Sequence, residues 1–461
     1  MAEVTPFDAV VIGTGQAGPS LAVRLAGEGL KTAIVERHRF GGTCVNVGCI
    51  PTKALVASAR VAHMARQAET YGVSIPGDVQ VDMTKVRARK DAIVKQSTEG
   101  VEGWLRSTGK LTVLEGHGRF LSPNTLQVGE REISADRIFI NVGARPRVPD
   151  LPGLDDVSFL TSSTILDLDF LPKHLIVVGG SYIGLEFAQM YRRFGSEVTV
   201  IEQGDRLVGR EDPDVSEAIL GILEGEGIEV RLGAECLSAS AHSDGVSIGL
   251  ECAEQAPTAS GSHLLMAVGR LPNTHDLGLE KAGIEVDKRG YIPVDDQLRT
   301  NLSHVWALGE VNRRGGFTHT AYNDYEIVAG NLLDGENRTV QDRIACYGLF
   351  IDPPLGRVGM TEQQARNSGR KVLMGRMSMK RVGRAKERGE TQGFMKVLVD
   401  GETERILGAS LLGIGGDEVV HGILDIMYAD APYAVIQRAV HIHPTVSELI
   451  PTMLQELRPL R

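Results

Sequence analysis

Basic excess is missing from this 461-residue sequence: 49 Lys and Arg stand against 59 Asp and Glu, leaving a formal charge of −10. A nucleic-acid binder needs a basic face for phosphates, so that class is set aside. Long hydrophobic runs are missing as well. No stretch reaches the roughly 18 apolar residues that span a bilayer. The opening "MAEVTPFDAVVIG" has neither the basic region nor the apolar core of a secretory signal. The expected location is therefore cytoplasmic, with no membrane or nucleic-acid partner. Cysteine is scarce: the chain has five, an odd number that does not suit a disulfide framework. Reducing surroundings also keep structural disulfides rare, so a close cysteine pair points to catalysis, redox sensing or metal binding. No low-complexity linker divides the chain, although its length suggests about three domains.

What is present is a repeated spacing. The strand pattern "FDAVVIG" runs into Gly13-Thr14-Gly15-Gln16-Ala17-Gly18, then an amphipathic stretch, then the strand "KTAIVE" ending at Glu36. Gly13 permits a tight turn, Gly15 lets backbone N–H groups approach a pyrophosphate, and Gly18 lets helix and strand pack closely. The helix N-terminus adds partial positive charge, and Glu36 can accept hydrogen bonds from a ribose. The unit recurs in "HLIVVGGSYIGLEFAQMYRRFGSEVTVIE", with Gly179, Gly180 and Gly184 in the turn and Glu202 at the second strand's end. Gly13 is as far from Glu36 as Gly179 is from Glu202. Ser181 takes the middle glycine's place. Two such units imply two dinucleotides, which suits an electron-transfer enzyme.

Cys44-x₄-Cys49, in "GGTCVNVGCIPTK", follows the first acid-ended strand. A metal clasp would need further Cys or His at ligand spacing, and none lies nearby. Cys49 begins a predicted helix whose N-terminus stabilises a thiolate, and Cys44 lies in the preceding irregular turn. Lys53 is one helical turn past Cys49 on the same face. Far along the chain, "HIHPTVSE" at 441–448 offers histidine beside a carboxylate, the pair that thiol–disulfide exchange needs for proton transfer. From about residue 344, short alternating strands followed by two amphipathic helical patterns read as an α+β domain.

In this combination the sequence resembles the flavin-dependent pyridine nucleotide–disulfide oxidoreductases, beside lipoamide dehydrogenase, glutathione reductase and mercuric reductase, over nearly its whole length. "GGTCVNVGCIPTK" and "PPLGRVGMTEQQA" are most similar to the mercuric-reductase-like branch and its copper-reducing relatives. The resemblance implies an α/β fold: two Rossmann-like dinucleotide-binding domains plus a C-terminal α+β dimerisation domain. FAD is expected on 1–148 and 275–340, NAD(P)H on 149–274, and the homodimer contact on 344–461. It makes Cys49 the flavin-facing sulfur and Cys44 the interchange thiol, with Lys53 and its partner Glu186 beside the flavin. The family's His-Pro-x-x-x-Glu pattern selects His443 as the base and Glu448 as its partner, acting on the other subunit's cysteines, and leaves His441 structural. Gly42, Thr43, Gly116, Gly143 with Ala144, Gly309, Glu310 and His319 carry over as flavin-side contacts, although the family has aspartate at 310. Tyr182 is expected to gate the nicotinamide pocket, with Ile183 and Gly269 as further cofactor contacts.

No resident metal is expected. NADH is the expected donor, with NADPH the alternative. The expected acceptor is a metal ion or small disulfide, with dihydrolipoamide dehydrogenase and a redox-sensing flavoprotein as the other readings. Mercury itself is disfavoured, because mercuric reductases also carry a C-terminal cysteine pair and often an N-terminal metal-binding module. This chain has no cysteine after Cys346, and only "MAEVTP" precedes the flavin strand. Cys236, Cys252 and Cys346 read as small buried hydrophobes, and "KRVGRAKER" at 380–388 as a solvated loop.

Overall fold

The computed structural model describes residues 4–243, 245–251 and 256–460. Thr5–Ile12 is paired in parallel with Thr32–Glu36 on one side and Arg131–Ile140 on the other, with Leu111–Glu115 beyond Thr32–Glu36. Buried strands of this kind read as continuous apolar runs, which is why "AVVI" was visible in the sequence. Helix Gly18–Gly27 buries Leu21, Ala22, Leu25 and Ala26 against the sheet, and its Pro19 sits in the first turn, where no intrahelical donor is lost. Val305–Ala307 pairs in parallel with Arg131–Ile140, so this sheet draws on two distant stretches of chain.

The second sheet runs Glu229–Arg231, Glu197–Ile201, His174–Val178, His263–Met266, Leu160–Thr161, all parallel. Between the two sheets the chain crosses on an antiparallel ribbon of Ala144–Pro146 and Arg270–Pro272. A third sheet of six strands, from Cys346–Leu349 to Arg458–Pro459, is antiparallel throughout. One apolar cluster joins the second and third sheets to helix Cys49–Arg66: Leu55 and Ala59, Leu175 and Leu265, Leu355 and Phe394 belong to it.

Three expectations need correction here. Phe394–Asp400 and Ile406–Leu412, read as alternating, are buried along their whole length because they occupy the middle of the third sheet. Lys396 survives there because its ammonium meets Asp212 at 3.1 Å, Asp214 at 2.7 Å and Glu362 at 2.5 Å. Those carboxylates cluster closely enough to hold a metal ion, but the lysine ammonium sits among all three, and Arg357 also pairs with Asp212 at 3.0 Å. Cys44 lies in a short helix, Gly42–Asn46, rather than an irregular turn. The basic run folds into a 3₁₀ turn, Met379–Arg381, and a short helix, Gly383–Glu387, in which Arg384 donates to Pro444 O at 2.7 Å. No helix among the described residues is long and apolar enough to cross a membrane.

Candidate active site

The two glycine turns share the same backbone hydrogen bonds. Gly13 N donates to Val35 O and Asn141 N to Ile12 O; Gly179 N donates to Ile201 O and Ala267 N to Val178 O, all at 2.8 Å. A Cβ on Gly13 would stand 2.5 Å from Asn141 O, and one on Gly18 2.3 Å from Gly13 O; the corresponding distances at Gly179 and Gly184 are 2.4 and 2.0 Å. Only glycine allows such an approach. Both acids cap their turns. Glu36 accepts from Thr14 N at 3.0 Å, and Glu202 accepts from Gly180 N and Gly204 N at 2.7 Å each.

One difference explains Ser181. In the first turn a Cβ on Gly15 would meet Asn141 Oδ1 at 2.8 Å, and that oxygen accepts from Gly18 N. The second turn has Ala267 in the place of Asn141, which leaves no amide side chain to collide with. Ser181 is extended (φ −109°), a conformation open to any residue.

The cysteines are carried to the first turn by Gly42, whose Cβ would lie 2.8 Å from Gly15 Cα. Backbone therefore packs on backbone, and the Thr43-Cys44 segment follows at once. Both cysteines are free thiols, Cys44 half-buried and Cys49 exposed. Cys49 is the first residue of helix Cys49–Arg66. Thr318, first residue of helix Thr318–Leu333, lies 3.3 Å from Cys49 Sγ and donates to Cys44 Sγ at 3.2 Å. Two helix N-termini thus meet at the sulfurs. The Cys49 thiol is lowered from 9.0 to about 6, chiefly by the hydrogen bond from Cys44, then by Thr318 and the Lys53 charge. Cys44 is pushed up, first by that same bond and then by burial. The pair is asymmetric: Cys49 is the thiolate and Cys44 keeps its proton.

Lys53 Nζ is 2.7 Å from Glu186 Oε2 and 4.5 Å above the Phe350 ring. Glu186 is buried, and its other oxygen accepts from Phe350 N at 3.1 Å. Four residues before Glu186, Tyr182 opens helix Tyr182–Phe194, with Ile183 exposed beside it. The Tyr182 hydroxyl donates to Glu211 Oε1 at 3.0 Å.

Several expected contacts have identifiable positions. Gly116 N donates to Glu36 O at 2.8 Å, and Gly143 O accepts from Asn273 N at 3.0 Å. Gly269 O accepts from Arg147 N at 2.9 Å, while Gly309 N donates to buried Asp324 at 2.7 Å. Glu310 is engaged by Arg270, whose Nε lies 2.7 and 3.0 Å from its two oxygens. His319 Nε2 is 2.7 Å from Cys346 O, and its ring stacks on Phe317. Burial lowers its pKa. Cys236 and Cys346 are half-buried rather than buried, and Cys252 lies outside the described residues.

His443 Nδ1 is 2.7 Å from Glu448 Oε2, and its side chain is 81% exposed. Among the described residues no hydrogen bond joins it to either cysteine. Val440 and Ile442 beside it are 99% and 78% exposed, an apolar face that needs a cover. His441 Nδ1 instead meets Ser447 O at 2.9 Å.

Thr318, Asn141, Glu211 and Arg270 escaped the sequence reading. Thr318 had one usable signal: a hydroxyl at the start of an apolar-periodic stretch in "GGFTHTAYND".

Two dinucleotide turns flanking an asymmetric dithiol define a class of protein that moves reducing equivalents between nucleotide and sulfur. Comparison with known proteins gives the family. The model for pyridine nucleotide-disulphide oxidoreductases matches residues 7–324, and that for their dimerisation domain matches 346–454. The chain is 38% identical over 450 residues to the probable pyridine nucleotide-disulfide oxidoreductase RclA of Escherichia coli (strain K12), covering 96% of this chain and 97% of that one. It is 35% identical to a dihydrolipoyl dehydrogenase of Bacillus subtilis (strain 168), over 97% of both chains. With a mercuric reductase of Bacillus cereus it shares 33% identity over 90% of this chain and 66% of the other. A solved structure, the Cu(II) complex of the HOCl-induced flavoprotein disulfide reductase RclA from E. coli, aligns with a TM-score of 0.88 at 36% identity, over 97% of this chain and 99% of that one.

The chain belongs to the pyridine nucleotide-disulphide oxidoreductase family. It is an FAD-dependent enzyme that uses NAD(P)H, and its dimerisation domain makes it a homodimer. The first turn fits such a group: a Cβ would meet backbone at Gly13, Gly18 and Gly42 and the Asn141 amide oxygen at Gly15, so the turn is closed to side chains, and Glu36 stands at the strand end.

Proposed function

We propose that this enzyme uses NADH to reduce a metal ion or a small disulfide through the Cys44–Cys49 pair. The observation that carries the reading is the asymmetric dithiol held by Thr318. Bound FAD supplies the two-electron chemistry that links nicotinamide to sulfur. Gly13, Gly15, Gly18, Glu36, Gly42 and Thr43 would hold it, and the Gly179–Gly184 turn with Glu202 would hold the dinucleotide. The three sheets support FAD on 1–148 and 275–340, dinucleotide on 149–274 and the dimer contact on 344–461.

Cys49, acidic and beside Lys53, suits the flavin-facing position. Cys44 keeps a proton and would engage the acceptor after losing it to a base. The partner subunit's His443 is the candidate, oriented by the partner subunit's Glu448. The overlap with RclA, solved as a copper complex, supports a metal or small disulfide, and thiolate sulfur is a fitting ligand for copper. A cytoplasmic location, where reduced nicotinamide is regenerated, accompanies the reading.

A second reading, dihydrolipoamide dehydrogenase, is favoured by the His443–Glu448 contact at 2.7 Å, since disulfide exchange needs a base. The test is a panel of Cu(II), low-molecular-weight disulfides and lipoamide, with NADH and NADPH, on wild type and His443→Ala. Metal reduction that survives in His443→Ala while disulfide reduction collapses supports separate demands at one site. If lipoamide outpaces every other acceptor, the dihydrolipoamide reading replaces the first.

A further inference from the structure

Asn141 crowds Gly15, and its amide also ties together parts of the chain that lie far apart in sequence. The residue is 5% exposed and directly follows strand Arg131–Ile140. That strand is flanked by Thr5–Ile12 on one side and Val305–Ala307 on the other, and the amide reaches both flanks. Its Oδ1 accepts from Gly18 N at 3.0 Å, and its Nδ2 donates to Leu308 O at 2.9 Å. These partners fix its orientation, because turning the amide over would set N–H against N–H and oxygen against oxygen. Gly309 packs on the same amide: at φ +77° its Cβ would stand 3.1 Å from Nδ2. Gly309 N and Asn312 Nδ2 in turn donate to buried Asp324 at 2.7 and 3.0 Å. A buried polar chain therefore runs from the first glycine turn to helix Thr318–Leu333.

The second turn has the matching backbone bonds and no such tie. Ala267 stands where Asn141 would, and its methyl group offers neither donor nor acceptor. The demands on the two sites differ in the same sense. A flavin is a resident group, whereas a nicotinamide dinucleotide must arrive and leave in every cycle. A site already held in its bound shape loses less freedom when the ligand settles, and so binds it more tightly.

We propose that Asn141 is a positioning residue that braces the first glycine turn against the Leu308–Gly309 strand end, so that FAD is retained there while the unbraced second turn lets its dinucleotide exchange. The inference rests on the reading of the first turn as the FAD site. The brace also dictates residue 15. With the Asn141 amide in place, a Cβ at Gly15 would lie 2.8 Å from Oδ1, so glycine is required. With alanine in that place, as at Ala267, serine is accommodated, as at Ser181.

The test is equilibrium release of FAD on dilution of the holoenzyme, with free flavin separated by ultrafiltration and measured. Wild type, Asn141→Ala, Gly15→Ser and the double variant are compared, and tetrahydro-NADH, which binds without donating hydride, is titrated into each FAD-saturated protein. Asn141→Ala should raise the FAD dissociation constant about tenfold, through the loss of buried hydrogen bonds. Gly15→Ser should raise it about a hundredfold, because the new side chain and the amide cannot both fit. In the double variant the sign reverses: adding Asn141→Ala to Gly15→Ser should tighten FAD binding, back towards the value of Asn141→Ala alone. Binding of tetrahydro-NADH should be the same in all of them. Unchanged FAD release in Asn141→Ala, additive losses in the double variant, or loss of tetrahydro-NADH together with FAD in Asn141→Ala would overturn the brace. If Gly15→Ser leaves FAD release unchanged, the reading of this turn as the FAD site falls and the brace with it; if Gly15→Ser weakens FAD binding but Asn141→Ala does not, the brace alone falls.

Discussion

The Thr318 hydroxyl lies 3.3 Å from Cys49 Sγ, so the first residues of two helices far apart in sequence meet at one sulfur. Thr318 also lowers the Cys49 thiol pKa. Thr318→Val keeps the shape and removes the hydroxyl. The expected outcome is a higher Cys49 titration midpoint, read from thiolate absorbance across pH 4–9, with Thr318→Ser close to wild type. An unmoved midpoint in Thr318→Val would remove the hydroxyl from the account.

The ion pair beside that sulfur makes a signed prediction. The Lys53 charge lowers the Cys49 pKa, and the Glu186 charge raises it. Lys53→Met should therefore raise the midpoint above about 6, and Glu186→Gln should lower it. In each variant the thiolate is the form present above the midpoint and lost as pH falls through it. Shifts of the same sign in both variants would contradict the electrostatic assignment.

Much of this arrangement was legible in the sequence, and the reason is local. The glycine turns, the acids that end their strands, and the Cys44–Cys49 and Cys49–Lys53 spacings are short-range patterns set by backbone geometry. Glu186, and the choice of His443 over His441 as the partner of Glu448, came only through family resemblance. Thr318 and Glu211 were missed because their partners are side chains brought near by packing of three sheets, which no spacing records. The central strands of the third sheet misled for a related reason: Lys396 in "FMKVLVD" looks like an outward-facing residue until its three carboxylate partners fold around it.

That cluster gives a stability prediction. Removing one member of a buried charged group leaves the rest uncompensated, typically at about 3–5 kcal/mol. Lys396→Met should lose stability on that scale in urea unfolding, and Mg²⁺ or Mn²⁺ added to the variant should recover part of it, since Asp214 and Glu362 would keep only longer contacts to Arg376 and Arg366, at 3.6 and 3.4 Å, while Arg357 still holds Asp212. A loss below about 1 kcal/mol would show that the carboxylates do not depend on the lysine.

Donor choice follows from Glu202, whose two oxygens are fixed by Gly180 N and Gly204 N. A carboxylate held there accepts from a ribose hydroxyl and repels a 2′-phosphate. NADH should exceed NADPH by at least about tenfold in kcat/KM, on the scale of a lost charged contact. Comparable values would direct attention to Arg206, whose buried Nε has no hydrogen-bond partner.

The most direct test of the central claim, that Cys49 is the flavin-side thiolate and Cys44 the interchange thiol, is the long-wavelength absorbance of two FAD-loaded variants without reductant. Cys44→Ser puts a hydroxyl where the Cys44 thiol stood and leaves Cys49 beside Lys53 and Thr318, both of which lower its pKa, so it should show a thiolate-to-flavin charge-transfer band that grows as pH rises. Cys49→Ser should show none at any pH up to 9. A band in Cys49→Ser, or identical spectra in the two variants, would contradict the assignment.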